Sequence, residues 1–218
     1  MYIYKNINFN FNKIKLKEFE MLPKDSVLNN YIDNFGEEEI WIYDGDLELD
    51  SLNLDYIENE INPILILING NFKVLNNIVN ENTDNSINLM VFGNLEAKNI
   101  EVGGQEIYVK GNVKVEGVYN GCYNHEILKV KENVSAYVLI NSDYTFDVEG
   151  DYQCRYIFEE GGIFTSEGLE LLKTLFIEEA FYFDLFDKQM AFGGVGKILL
   201  ENRCPFKEKM DTRYRYFN

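Results

Sequence analysis

The chain has 218 residues, 46% hydrophobic with 15 Tyr, 16 Phe and only 3 Pro, which excludes global disorder and favours strands around a sizeable core. Twenty basic against 37 acidic residues give a net charge of −17, a field that repels nucleic acid and anionic membranes and draws basic partners, a nuclease for example. The cysteines, Cys122, Cys154 and Cys204, are too few and too odd in number for a disulfide framework, which points to a reducing compartment.

At the N-terminus, "MYIYKNINFNFNKIKLKEF" contains no long apolar stretch, so no signal peptide is expected and the cytoplasm is the simplest location. Within "KDSVLNNYIDNFG", residues 24–36, Asp25 or Ser26 can cap a short helix. Its stripe is Val27, Leu28, Tyr31, Ile32 and Phe35, and Gly36 ends it. Residues 37–60 then hold ten acids and no base. "PILILI", residues 63–68, is far too short to span a bilayer.

From residue 40 a repeat emerges. Glycine followed by Asp or Asn recurs at Gly45-Asp46, Gly70-Asn71, Gly93-Asn94, Gly111-Asn112 and Gly150-Asp151, and Glu132-Asn133 fills the series. Two before this anchor stand Tyr43, Ile68, Val91, Val109, Val130 and Val148; two after it stand Leu47, Phe72, Leu95, Val113, Val134 and Tyr152. The columns four before and four after are also apolar or small. The column seven after runs Leu52, Asn77, Ile100, Val118, Leu139, Ile157. Asn77 breaks it, and Ile78 beside it is the substitute.

Period-two alternation on both sides of a glycine means strand, bend, strand. Gly-Asn suits a corner of positive φ, at which Glu132 would be mildly strained. Antiparallel hairpins with two-residue turns are one architecture. A stack of parallel coils is the other, and it alone demands the same columns in phase six times. The expected fold is therefore mainly β: a single-stranded parallel right-handed β-helix, a β-solenoid of about six coils and triangular section. An outward row, Glu48, Lys73, Glu96, Lys114, Ser135 and Gln153, would stack opposite charges between neighbouring coils.

After the repeats, "TSEGLELLKTLFIEEAFYFDLFDKQM", residues 165–190, reads as one helix to about Gln189, with Leu172, Leu175, Phe176, Phe183 and Phe186 seated on the last coil. "FGGVGK", residues 192–197, has Ala191 and Ile198 where a phosphate loop needs Gly and Ser or Thr. It follows a predicted helix, so Gly193-Gly194 reads as a helix stop. The tail "RCPFKEKMDTRYRYFN" carries five bases and two acids, which suits docking on the chain's own acidic surface. The whole is expected to be one domain, 1–218: an N-terminal cap to residue 39, coils over 40–162, and a helical cap with basic tail over 163–218.

His125 is the only histidine. It lies seven residues before its anchor, as Asp143 does, so regular rungs would stack the two as a structural turn pair. Tyr123 and Asn141 share a register in the same way. No nucleophile is aimed at that pair, and one His with three scattered Cys supplies no zinc set. No catalytic residue, metal or cofactor is expected.

"GNLEAKNIEVGGQEIYVKGNVKVEGVYNGCYNHEILKV", with its Gly-Asn rungs, the turn Tyr123-Asn124-His125 and the helical ending, resembles bacterial β-solenoid proteins of polymorphic-toxin and contact-dependent inhibition loci, over roughly residues 40–190. That pattern has glycine where Glu126 stands. More loosely, the chain is similar to the polymer-forming bactofilin class. The resemblance implies a non-enzymatic immunity protein, monomeric or a small oligomer, that neutralises a basic toxin encoded by a neighbouring gene. The acids Glu37, Glu38, Glu39, Glu58, Glu60 and Asp84 are its candidate contacts, since loops over 54–63 and 76–87 would project from the coils. A self-assembling scaffold is the alternative, against which two covered ends would argue. An enzyme built on the β-helix is a third.

Overall fold

The computed structural model describes residues 11–55, 62–80, 86–122, 127–159, 165–184 and 189–207. Strand β1 (Asn12–Lys15) is followed by 3-10 turns at Leu16–Glu18 and Val27–Asn30 and the single-turn helix α1 (Ile32–Phe35). The coils follow as β2 (Glu39–Asp44), β3 (Leu47–Leu49), β4 (Leu52–Asn53), β5 (Leu65–Asn69), β6 (Phe72–Val79), β7 (Asn88–Val91) and β8 (Leu95–Val102). They continue as β9 (Ile107–Val109), β10 (Val113–Cys122), β11 (Ile127–Val130), β12 (Val134–Ser142), β13 (Thr145–Val148) and β14 (Tyr152–Phe158). Helix α2 (Ser166–Leu175), a 3-10 turn at Glu178–Ala180, the hairpin β15 (Phe181–Asp184) and β16 (Gln189–Phe192), and helix α3 (Val195–Leu200) complete the described chain.

The architecture is a parallel β-solenoid. One sheet has the order β1-β2-β5-β7-β9-β11-β13 and the other β14-β12-β10-β8-β6-β3. Every strand pairing between successive coils is parallel, and one isolated bridge, Asp55 with Ser86, is antiparallel. Six rungs lie in register, so the chain makes about five full turns, and hairpin stacking is excluded. There are two sheets and not three flat faces, but the second is bent: the pairing of β10 with β12 breaks register between Val115 and Val118. The columns read from the sequence superpose as expected. Leu47, Phe72, Leu95, Val113 and Val134 are all buried in one core with Ile66, Leu89, Ile107 and Leu128. The outward row is in register too, and Lys73 Nζ lies 3.0 Å from Glu48 Oε2.

The column beyond the bend is corrected by one residue. Ile78 pairs with Ile100, Ile100 with Tyr119 and Tyr119 with Leu139. Thus Ile78 fills the interior in place of Asn77, as expected, and Tyr119 does so where Val118 was expected. Asn77 turns outward: its amide donates to Leu199 O at the end of α3 (2.9 Å), and its oxygen accepts from Asn99 (2.9 Å). The residue that interrupts the apolar column is a bracket for the C-terminal segment.

The glycine column also has a different cause from the one expected. Among the described residues only Gly45 and Gly104 of the glycines have positive φ, 112° and 74°. At Gly93 and Gly111 the constraint is the rung below: a Cβ on Gly93 would sit 2.6 Å from Gly70 O, and one on Gly111 2.8 Å from Gly93 O. Glu132 has no left-handed backbone, so the strain expected there is absent, and its carboxylate accepts from the Asn112 amide.

Both termini lie along the flanks of the stack. Leu16, Phe19 and Leu28 cover the outer face of the first sheet, against Ile40, Leu65, Leu67, Met90 and Tyr108. Leu172, Phe176, Ala180, Val195, Ile198, Leu199 and Phe206 cover the bent half of the second, against Val79, Val118, Val138, Ile140 and Phe158. Coils that are apolar on both faces of their strands need such covers. The expected caps are therefore corrected. The N-terminal cover is 3-10 turns plus one helical turn, because Ser26 caps only a short run (its Oγ accepts from Leu28 N, 3.2 Å). The C-terminal cover is two helices separated by a hairpin, because Ile177 and the aromatic run after Ala180 leave the helical path. Leu172 and Phe176 are buried, but along the flank of several coils and not on the last coil alone as expected; Phe186 and the side chain of Phe183 lie outside the described residues, as does the tail from residue 208.

Candidate protein-binding surface

Ladders of short polar side chains run along the corners of the stack. Asp46 Oδ1 accepts from Asn71 N (2.7 Å) and Nδ2 (3.1 Å); Asn71 Oδ1 accepts the same pair from Asn94, and Asn94 Oδ1 from Asn112. Asn133 and then Asp151 continue it, with Asp151 N donating to Asn133 Oδ1 (2.9 Å). Each rung accepts from the rung above. The first needs no amide group, because nothing lies below it to receive one, and a carboxylate suffices. The same substitution recurs across the first coil. Asp44 accepts from Asn69, Asp50 from Asn76 and Asp55 from Asn80. Hydrogen bonds from Asn71 hold the Asp46 carboxyl below the usual aspartate range. Much of the acidity of residues 37–60 is therefore the starting rung of the stack.

The predicted contact acids fall in different settings. Glu37 is exposed and ion-paired to Lys17, and Glu38 is exposed. Glu39 is half-buried, accepts from Trp41 Nε1 (3.1 Å) and lies 3.8 Å from Lys13 Nζ. Glu58, Glu60 and Asp84 lie outside the described residues, as do Tyr123, Asn124, His125 and Glu126. Of the turn pair only Asp143 is described: it is exposed, with φ 62°, in a bend where Asn141 Oδ1 accepts from Tyr144 N (2.9 Å).

An open groove of about 410 Å³ runs over the first coils between Asp46, Glu48, Lys73, Asn94 and Glu96. Three acids line it against one base, and Lys73 pairs with Glu48 (3.0 Å). The far end of the stack differs. Asp143, Asp147, Glu149, Asp151 and Glu159 flank the last coil and are exposed, as is Arg155; Glu149 is paired to Lys131 of the preceding coil (2.7 Å). Tyr152 and Ile157 occupy interior columns yet are 42% and 48% exposed, whereas Val134 and Leu139, one rung below, are 0% and 3%. Among the described residues no strand pairs with the outer edge of β13 or β14. At the near end the outer edge of β2 is occupied by β1. Both ends were expected to be covered; among the described residues only one sheet of the first coil is. Sequence reasoning missed this surface, although Tyr152 and Ile157 stand in its own apolar columns.

The segment "FGGVGK" follows strand β16 and precedes α3, so Gly193-Gly194 is a helix start and not a stop. It cannot cradle a phosphate, because both glycine N–H groups donate to Ala180 O (3.2 and 3.1 Å). Burial pushes the Cys122 thiol up to about 12 and the Cys154 thiol up to about 11, so both are poor nucleophiles. No group of three metal-ligating side chains occurs among the described residues, and none of their helices is long and apolar enough to cross a membrane. Compared with protein-family models, curated proteins and solved structures, the chain matches none.

Proposed function

We propose that this chain is a non-enzymatic, cytoplasmic protein-binding solenoid that holds a basic protein, in the manner of an immunity protein neutralising a toxin from an adjacent gene. The observation that carries the reading is the last coil, where interior-column side chains stand exposed inside a surplus of carboxylates. A surface that is apolar at its centre and charged at its rim suits a protein partner, and the net charge of −17 favours a basic one. Right-handed winding belongs to the same proposal, since crossovers between parallel strands are overwhelmingly of that hand.

The scaffold reading is favoured by the same bare coil but disfavoured by the near end. Stacking copies head to tail would set the Asp151 carboxylate beneath Asp46, two like charges at a rung spacing of about 4.8 Å, and β1 would block β2. Co-expression with the adjacent gene product tests the reading. The expected result is a stoichiometric complex, weakened by salt, that relieves growth arrest. Failure to form a complex at micromolar concentrations, or filaments of the chain alone under those conditions, would overturn it.

A further inference from the structure

The last coil specifies its occupant more closely than charge alone. We propose that the outer edge of β14 takes an extended segment of the partner as an added strand, one in which basic residues alternate with apolar ones. The inference rests on the reading of the chain as a holder of a basic protein. Four features of the coil each fix one property of the segment.

The edge of β14 is seven residues of strand whose outward backbone groups meet no partner strand among the described residues. Such an edge selects extended backbone. Tyr152 and Ile157 continue interior columns that every earlier coil closes with the next one. Tyr152 and Ile157 lie on the two arms of the bent strand, and covering either requires apolar side chains at alternate positions along its own arm, because successive side chains of a strand point to opposite faces. Asp151 ends a ladder in which each earlier side-chain oxygen accepts from the rung above, and nothing described donates to its carboxylate. The added rung must bring donors. The acids flanking the coil, Asp147 and Glu159 among them, favour Lys or Arg on the remaining face. Arg155 stands among them with its guanidinium over the rings of Tyr156 (5.4 Å) and Tyr137 (6.0 Å).

The other end of the molecule shows the same chemistry satisfied within the chain. There β1, with the sequence NKIK, pairs antiparallel with the edge of β2. Lys13 lies over the Trp41 ring (4.2 Å) and 3.8 Å from Glu39, while Ile14 packs with the outer-face cluster. A basic-apolar alternating strand is the segment this fold already uses to finish an acidic edge.

The test uses the full chain and a capped eight-residue peptide alternating Arg and Val, with a blocked peptide of four Arg then four Val, and an alternating Glu–Val peptide, as controls. Binding is read by fluorescence anisotropy and the site by hydrogen exchange. The alternating basic peptide is expected to bind at least tenfold tighter than either control and to slow exchange in residues 152–158 at least tenfold. Ile157→Lys, at a position already half exposed, is expected to keep the far-UV spectrum and melting temperature while weakening the peptide at least fivefold. Equal binding of the alternating and blocked peptides, or protection on another strand with β14 unchanged, overturns the proposal. Binding that emerges only in an Arg213→Glu, Arg215→Glu double variant also overturns it, by assigning the edge to the chain's own tail. A co-expressed partner complex that survives Ile157→Lys with β14 unprotected removes strand addition and leaves the protein-binding reading standing. Peptide addition to β14 with no partner complex removes the reading and keeps the edge chemistry.

Discussion

The first and last coils share the same columns but are finished in opposite ways. The first has aspartates as starting rungs, each receiving amide donors from the second coil, and β1 lies along the edge of β2. The last has an aspartate whose acceptors face outward, interior residues left exposed, and no strand on either edge among the described residues. A stacked fold has direction: its ladder bonds all point one way along the axis. One end can therefore be completed by a change of side chain, while the other asks for a further rung.

The largest expected effect separates an interior rung from the final one. Leu139→Ala should lower stability by about 3 kcal/mol, since it opens a cavity in a closed core. Ile157→Ala in the same column should cost less than about 1 kcal/mol. Denaturant melts of both variants check this, and equal losses would show that the last coil is covered after all. Next comes the corner. Gly93→Ala, which pushes a Cβ against Gly70 O, should cost on the order of 2 kcal/mol. Gly45→Ala, at the first rung, meets nothing within 4 Å but must hold a φ of 112°, for about 1 kcal/mol.

The two ladder ends should respond differently to loss of their carboxylates. The Asp46 carboxyl is held below the usual aspartate value in the folded chain. Its contribution is present above that usual value and is lost as pH falls through the lower folded one. Asp46→Asn should therefore flatten the acid limb of the melting-temperature profile and lower the neutral plateau. Asp151→Asn should instead raise the plateau slightly, since an amide there can donate to Asn133 Oδ1 as the other rungs do to theirs. Smallest is a difference in thiol reactivity. With a maleimide at pH 8, exposed Cys204 should label first. Cys122 should be slowest, about tenfold behind Cys154 in thiolate fraction, given values of about 12 and about 11.

Much of the coil was legible in residues 40–158 because a solenoid writes its period into the chain: each column is a row of contacts, so Val91, Val109 and Val130 had to match. The slip at Asn77 was legible, since a polar residue breaks the column beside Ile78; the slip at Val118 was not, because Val118 and Tyr119 are both apolar and a bulge leaves composition intact. The C-terminal elements were misread for a related reason. Over residues 165–190 apolar residues are dense enough to fit a helical stripe, and only packing against Val118, Val138 and Phe158 decides that part of that run pairs as a hairpin. A signal for the flank covers did exist in "PILILI", whose apolar residues fall on both faces of one strand.

Of the candidate site, the sequence supplied the excess of acid but not its location. It marked residues 37–60, where the carboxylates are largely engaged as first rungs and with Lys13 and Lys17. It overlooked 143–159, where they surround an open coil. Charge, the parallel stack and its register were determined by the chain alone, since the recurrence of like residues at like positions is itself the condition for coils to superpose. Which surfaces remain free was decided only in three dimensions. That depends on where the two terminal segments come to lie, and their seats are formed by side chains that stand far apart in sequence until the coils have stacked.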